Sequence, residues 1–273
     1  MSIDPLPDQP VDLGTPYLRW HVDAGIATCT IDRPERRNAM TGNMYLGVRK
    51  AVGILNRSPA IHALIITGVG DYFCPGGDMG GGDDNSPALA DVVTAFGNAI
   101  VPYELIRRSP KPVVSAINGN CQGGGFLTAM TCDVVIASEQ ARFRVPEVLR
   151  GVVDANFAAY LPAHIGVARA RDLILTGRYF DAAEAFALGV VSRIVPHDEL
   201  ATAARGAAIE LIRGAPEARR VMKRMINDRY GDVDSMALDA SIAGPEAREG
   251  FAAFVEHRVP SWVPDEFAPD GRL

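Results

Sequence analysis

An apolar, β-type run over residues 112–117 stops at Asn118-Gly119, and soon afterwards Gly123-Gly124-Gly125 opens into Phe126-Leu127-Thr128-Ala129-Met130, which has helical spacing. A strand that meets consecutive glycines and turns at once into a helix restricts the chain to architectures of alternating strand and helix. It also has a chemical consequence. Backbone N–H groups at such a turn face outward with no side chain in the way, and the positive end of the helix dipole points at the same place. The glycines therefore either stabilise a negative oxygen or let the helix pack closely on the sheet, and this stretch alone leaves both readings open.

A second stretch has the same plan. A short apolar strand over 63–67 leads into Gly68-Val69-Gly70, then Phe73-Cys74-Pro75-Gly76-Gly77-Asp78-Met79, a further glycine run through Gly82, and an expected helix over 87–107. Asp78 reads first as a cap or turn residue that accepts backbone N–H bonds. Residues 80–84 read as a mobile loop able to admit a long substrate.

Upstream, 17–22 and 26–31 form an expected hairpin through Asp23-Ala24-Gly25. Arg33-Pro34-Glu35-Arg36-Arg37-Asn38-Ala39 follows as a loop. Thr41 or Asn43 then caps a helix with Met44, Val48, Ala51, Val52 and Leu55 on one face. The arginines lie just before a helix N-terminus, where cations are disfavoured; they suit either a bound anion or a solvated basic loop.

Downstream come a strand over 133–138, an extended piece over 142–145, and Pro146-Glu147 in a loop. Asp154 precedes a helical run through His164, residues 167–175 form a helix ended by Gly177, and Asp181 starts a helix that closes at Gly189. A strand over 190–195 is stopped by Pro196. Beyond it the pattern is helical only, at 198–213, 216–229 and 234–257, the last interrupted near Pro245. The expected organisation is an α/β core over 1–196, whose first 16 residues form a flexible arm, and a C-terminal helical region over 197–273.

The net charge of −6 over 273 residues argues against a sequence-independent nucleic-acid binder, which needs a positive surface. No apolar run is long enough to cross a bilayer, and the start has no signal-peptide pattern; the expected location is cytoplasmic. Cys29, Cys74, Cys121 and Cys132 form no Cys-x-x-Cys pair. The histidines form no metal-ligating pattern, so no metal is expected. There is no Gly-x-Ser-x-Gly elbow, no Gly-x-x-x-x-Gly-Lys-Ser/Thr loop and no Gly-x-Gly-x-x-Gly fingerprint.

Three ordered pieces resemble the crotonase superfamily, also called the enoyl-CoA hydratase/isomerase family. They are Phe73-Cys74-Pro75-Gly76-Gly77-Asp78; Ile117-Asn118-Gly119 through Gly123-Gly124-Gly125 to Cys132-Asp133; and Leu175-Thr176-Gly177 through Gly189 to Val195-Pro196. Glu249-Gly250, Ala253-Phe254 and Glu256-His257-Arg258 resemble the family's final helix. The resemblance implies a spiral of ββα units with a C-terminal helical trimerisation region, assembly as a homotrimer or dimer of trimers, and an acyl-coenzyme A thioester as substrate with no further cofactor. It also implies that the N–H groups of Gly77 and Gly124 form an oxyanion hole. Arg36, Arg37 and Ala39 would line the nucleotide groove, with Gly76, Asp78 and Met79 beside the bound ligand.

The family supplies two carboxylates for hydration, one three residues after the middle glycine and one after the proline of the next loop. Here the second stands as Glu147, and the first is replaced by Leu127. The resemblance then favours double-bond isomerisation, for which a single acid/base suffices. Hydration with Asp154 or a water as the second acid, and a catalytically silent acyl-CoA-binding protein, are the alternatives. Asp154 either supplies that acid or caps the following helix. Ala155, Asn156, Phe157 and Ala158 stand where the family has glycines, which implies a narrower acyl pocket.

Overall fold

The computed structural model describes residues 11–78 and 100–263. The expected residues 79–99, including Met79, the glycine run and most of the helix over 87–107, lie outside the described residues. Within the described part of that helix, only Tyr103–Arg107 (α2) is helical, starting at Pro102.

Strands Leu18–Asp23 (β1) and Ile26–Ile31 (β2) pair antiparallel, with Asp23 opposite Ile26. Ala24 and Gly25 make the turn at φ 46° and 76°, the left-handed geometry that matches the twist of a two-residue hairpin. Helix Gly42–Arg57 (α1) begins at Thr41, whose hydroxyl accepts from the Met44 N–H. All five residues of its expected apolar face are buried. Leu13, within the stretch expected to be a free arm, is buried too, because Gly47 of α1 leaves room for its backbone.

The rest of the core repeats one step. Ala63–Gly68 (β3), Val113–Ile117 (β5) and Val134–Ser138 (β7) are neighbouring parallel strands of a six-stranded sheet ordered β1-β2-β3-β5-β7-β10, with Arg193–Val195 as β10. Each of the first three runs directly into a three-residue strand of a second sheet: Tyr72–Cys74 (β4), Asn120–Gln122 (β6) and Arg142–Arg144 (β8). These are also parallel neighbours, and Tyr179–Asp181 (β9) closes that sheet antiparallel to β8. Successive turns of the chain thus stack as a spiral. Asn118 fastens one turn to the previous one, accepting from the Gly68 N–H and donating to the carbonyls of Gly70 and Tyr72. Gly119 has no side chain because the Asp71 carbonyl occupies that space.

Helix Gly123–Met130 (α3) follows β6 with every residue buried except Gly124. Its Phe126 packs against Phe143, Phe157 and Phe180 with ring centroids 5.5–5.8 Å apart. Helices Ala155–Ile165 (α4), Val167–Thr176 (α5) and Ala182–Leu188 (α6) follow. Gly177 and Gly189 end α5 and α6 in the left-handed conformation. The strand expected over 190–195 is shorter, because the N–H groups of Val190 and Val191 turn back to the Ala185 carbonyl to complete the α6 terminus.

Helix Leu200–Arg213 (α7) covers the other face of the large sheet, laying Leu200, Ala204, Ala207 and Ala208 on Ile26, Ala63, Ile65, Val114, Ala116 and Ile136. Pro216–Asn227 (α8) is tied down by Lys223, which donates to Asp133 at 2.8 Å. The interruption expected near Pro245 separates Ser235–Ile242 (α9) from Pro245–Glu256 (α10). These two helices clasp residues 147–153. Ser241 Oγ accepts from the Val153 N–H at 3.0 Å, Arg150 lies over the Phe254 ring at 4.2 Å, and Gly250 allows α10 to touch the Arg150 backbone.

Candidate active site

The turn after β4 depends on Gly76, which sits at φ 109°, where an L side chain is strained. Met40 then pairs with this turn as a short parallel bridge: its N–H reaches the Gly76 carbonyl at 2.9 Å and its carbonyl accepts from Asp78 N–H at 2.8 Å. Along an extended chain N–H groups alternate in direction, so the Gly77 N–H between those two bonds points away from Met40. The N–H of Gly124, second residue of α3, belongs to the first turn of a helix and has no carbonyl within that helix to reach. The two turns meet. A Cβ added to Gly76 would lie 3.5 Å from the Gly124 nitrogen and 3.7 Å from Gly123 Cα.

Glu147 is held over the same point. It starts the 3-10 turn Glu147–Arg150, directly after Pro146. A Cβ on Gly123 would come 2.7 Å from its Oε1, so the missing side chain makes the space that the carboxyl fills. Oε2 is buried with no hydrogen-bond partner among the described residues. Burial, followed by the negative charge of Asp154, pushes the Glu147 carboxyl well above the usual carboxylate range.

Asp154 fills one of its two expected roles, as the helix cap. Its Oδ1 caps α4, accepting from Asn156 N–H at 2.9 Å and Phe157 N–H at 3.3 Å, and its charge acts on Glu147. Burial raises its own pKa, while those hydrogen bonds oppose the rise. A helix N-terminus also favours the ionised form. Of the pair, Asp154 is therefore the group that keeps the charge and Glu147 the one that keeps the proton.

Leu127 is fully buried among the core apolar residues. The space beside Gly124 is instead bordered by two phenols. Tyr103 Oη would be 2.9 Å from a Cβ on Gly124, and Tyr45 Oη is closer still.

The arginine loop is built around a residue that motif reading passed over. Arg33 has a side chain with 0% exposure, and its Nη1 donates to Asp78 at 2.6 Å and to the Ala39 carbonyl at 3.0 Å. Asn38 accepts from the Arg33 N–H and donates to the Val69 and Tyr72 carbonyls, from a left-handed φ of 64°. Asp78, expected beside the ligand, thus has its carboxylate on Arg33 and works as a structural clamp. Arg36 and Arg37 remain exposed on the outside of the loop, Arg37 with its guanidinium 5.9 Å from the Tyr72 ring centre, and Ala39 is half-buried next to Met40.

A family model described as enoyl-CoA hydratase/isomerase matches residues 21–265. The chain belongs to the enoyl-CoA hydratase/isomerase family. Among the proteins similar to this family member is the mevalonyl-coenzyme A hydratase of Aspergillus fumigatus, 35% identical over 256 residues that cover 88% of this chain and 92% of that protein. Another is the crotonyl-CoA hydratase of Syntrophomonas wolfei, 32% identical over 247 residues covering 87% and 94% of the two chains. The crystal structure of an enoyl-CoA hydratase/isomerase from Pseudoalteromonas atlantica superposes with a TM-score of 0.77 at 30% identity, covering 90% of this chain and all of that one. The spiral of two sheets is the crotonase fold of these enzymes, and the chain is an acyl-CoA enzyme of this family.

Within this enoyl-CoA hydratase/isomerase scaffold, Arg33, Tyr45 and Tyr103 are the residues that sequence reading missed. Arg33 had a signal: it is the first arginine of its loop, two residues after an apolar strand and five residues before Asn38. Tyr45 sits on the same expected helix face as Met44 and Val48, where it reads as one more core residue. No helix of the described residues is long and apolar enough to cross a membrane.

Proposed function

We propose that this enzyme adds water to a 2-enoyl-CoA, with Glu147 and Asp154 as the acid/base pair. The observation that carries the reading is the Glu147 carboxyl, buried against Gly123 and under the charge of Asp154. The thioester oxygen would accept the N–H groups of Gly77 and Gly124, and Arg36, Arg37 and Ala39 would border the nucleotide part of the ligand. Asp154, ionised, takes a proton from water as the water oxygen bonds to C3. The electron pair of the double bond moves to the thioester, whose enolate oxygen is held by the two N–H groups. Glu147 then delivers its proton to C2. Exchange with solvent returns each carboxyl to its starting state. A carboxylate that accepts two backbone bonds on one oxygen still has lone pairs for the water.

The hydratase names of the relatives support this reading over the isomerisation that Leu127 favoured on sequence. Isomerisation remains as a second reading, because Glu147 alone can take a proton from C4 and return it to C2. The exposed apolar residues Met222, Met225, Ile226 and Met236 on the C-terminal helices fit assembly into a homotrimer or a dimer of trimers.

Asp154→Asn separates the two reactions. Asparagine caps a helix about as well as aspartate, so the fold is kept while the base is lost. Crotonyl-CoA hydration should fall by roughly 10²-fold or more, while conversion of a 3-enoyl-CoA to the 2-enoyl form survives. Hydration at the wild-type rate in this variant would remove Asp154 from the mechanism.

A further inference from the structure

Tyr45 of α1 and Tyr103 of α2 come from separate elements, yet both are buried, at 1% and 3% exposure, and their hydroxyls converge on Gly124 Cα. Both hydroxyls therefore sit beside one point of α3, and Tyr103 acts on the Tyr45 hydroxyl. Each phenol carries one proton and can also accept. A hydrogen bond between the two would use one of their two O–H protons and leave the other to donate elsewhere. Phenylalanine would fill both positions without bringing a polar oxygen into the core, and a buried hydroxyl with a donor to spare costs stability. Such a group points to a ligand.

The surroundings say which part of the ligand. Gly124 supplies an N–H proposed for the thioester oxygen, so atoms beside its Cα lie within a few ångströms of the first carbons of the acyl chain. Glu147 and Asp154 both act electrostatically on both phenols, which puts the tyrosines in the same low-dielectric space as the proposed acid/base pair.

We propose that the Tyr45–Tyr103 pair is a hydrogen-bonding subsite for an oxygen on C3 of the acyl group, holding the 3-hydroxyl of a 3-hydroxyacyl-CoA and the water that becomes it. This rests on the acyl-CoA reading of the site and names a further group for that ligand. Burial keeps both phenols protonated through the working pH range, so the subsite presents a donor and stays neutral. The pair thus stands in for the hydrogen-bonding part of the carboxylate that Leu127 replaces, leaving proton removal to Asp154.

The test is binding, which does not require turnover. In a Glu147→Gln background, which prevents dehydration of the ligand during the measurement, calorimetry compares butyryl-CoA with the two enantiomers of 3-hydroxybutyryl-CoA. With both tyrosines present, one enantiomer should bind roughly five- to tenfold tighter than butyryl-CoA, the worth of one net hydrogen bond. Tyr45→Phe/Tyr103→Phe should abolish that preference while leaving the butyryl-CoA affinity within about twofold of its value. The two single variants serve as a second route if the double variant does not fold, and at least one of them should show the loss. Retention of the preference in the phenylalanine variants, or its absence when both tyrosines are present, overturns the proposal. Failure of the hydratase reading is seen separately, as absent crotonyl-CoA hydration in the unaltered enzyme. If neither thioester binds at all, the acyl-CoA reading and the subsite fall together.

Discussion

Removing the charge at Asp78 tests whether the buried Arg33–Asp78 pair holds the site together. Arg33 is fully inaccessible, Asp78 is 9% exposed, and their atoms approach to 2.6 Å. Removing the nearer counter-charge of a buried guanidinium costs up to roughly 3–5 kcal/mol, and Glu35, 3.8 Å from Arg33 Nε, is too exposed to replace it. Asp78→Asn keeps the shape and one acceptor oxygen, so the lower end, about 3 kcal/mol, applies. At about 2–4 °C per kcal/mol for a chain of this order of length, the unfolding temperature should fall by roughly 6–12 °C. The effect should reach the ligand, because the same Asp78 closes the bridge from Met40 to Gly76 and Gly77. Acyl-CoA affinity should therefore drop along with stability. Replacing both partners, as in Arg33→Met/Asp78→Leu, removes the buried charge itself and should recover much of the lost stability. Scanning calorimetry at one fixed protein concentration, with acyl-CoA titration on the same samples, reads both quantities. A shift below about 2 °C in Asp78→Asn, or a double variant no more stable than the single one, would refute the claim that this pair is a structural clamp.

Glu147→Gln should abolish hydration and at the same time stabilise the folded enzyme. The Glu147 carboxyl has a raised folded-state pKa, so the native protein holds a proton that the unfolded chain releases, and its burial becomes destabilising as pH rises through that value. The unfolding temperature of Glu147→Gln should exceed that of the unaltered enzyme at neutral and alkaline pH, with the gap shrinking toward pH 4; a constant gap would contradict the assignment. In a pH–rate profile, hydration should fall on the alkaline side as Glu147 loses its proton. Gly124→Ala places a methyl group into the two phenols and should displace the Gly124 N–H, lowering turnover by roughly a hundredfold with the fold intact; unchanged kinetics would mean that the phenols move aside freely.

The sequence made the large sheet legible because its inner strands are apolar runs of five or six residues bounded by glycine, asparagine or proline, as in 63–67 and 113–117. The small sheet was not. Strands β4, β6 and β9 have three residues each, too few for an alternation to appear, and β6 is Asn-Cys-Gln, which no propensity marks as a strand. They exist because the spiral brings them into register. Within the candidate site, Gly76, Gly77, Gly124 and Glu147 announced themselves through glycine runs and a family-like spacing. The clamp on Asp78 did not, because an arginine 45 positions away becomes its partner only after the chain has wound back over itself. Tyr45 and Tyr103 were invisible for the same reason: each fits its own helix, and only their meeting at Gly124 gives them a task.

The clasp of α9 and α10 on residues 147–153 has a bearing on how defects in this enzyme would present. Gly250 leaves just enough room for α10 to lie on the Arg150 backbone, and Ser241 anchors the segment next to Asp154. The amides proposed to grip the thioester come from the first half of the chain, whereas the segment between the two carboxyls is held by helices at its far end. A lesion in those distant helices would thus yield a protein that still captures its ligand and no longer turns it over, so damage far from the pocket would pass for a fault in the chemistry itself.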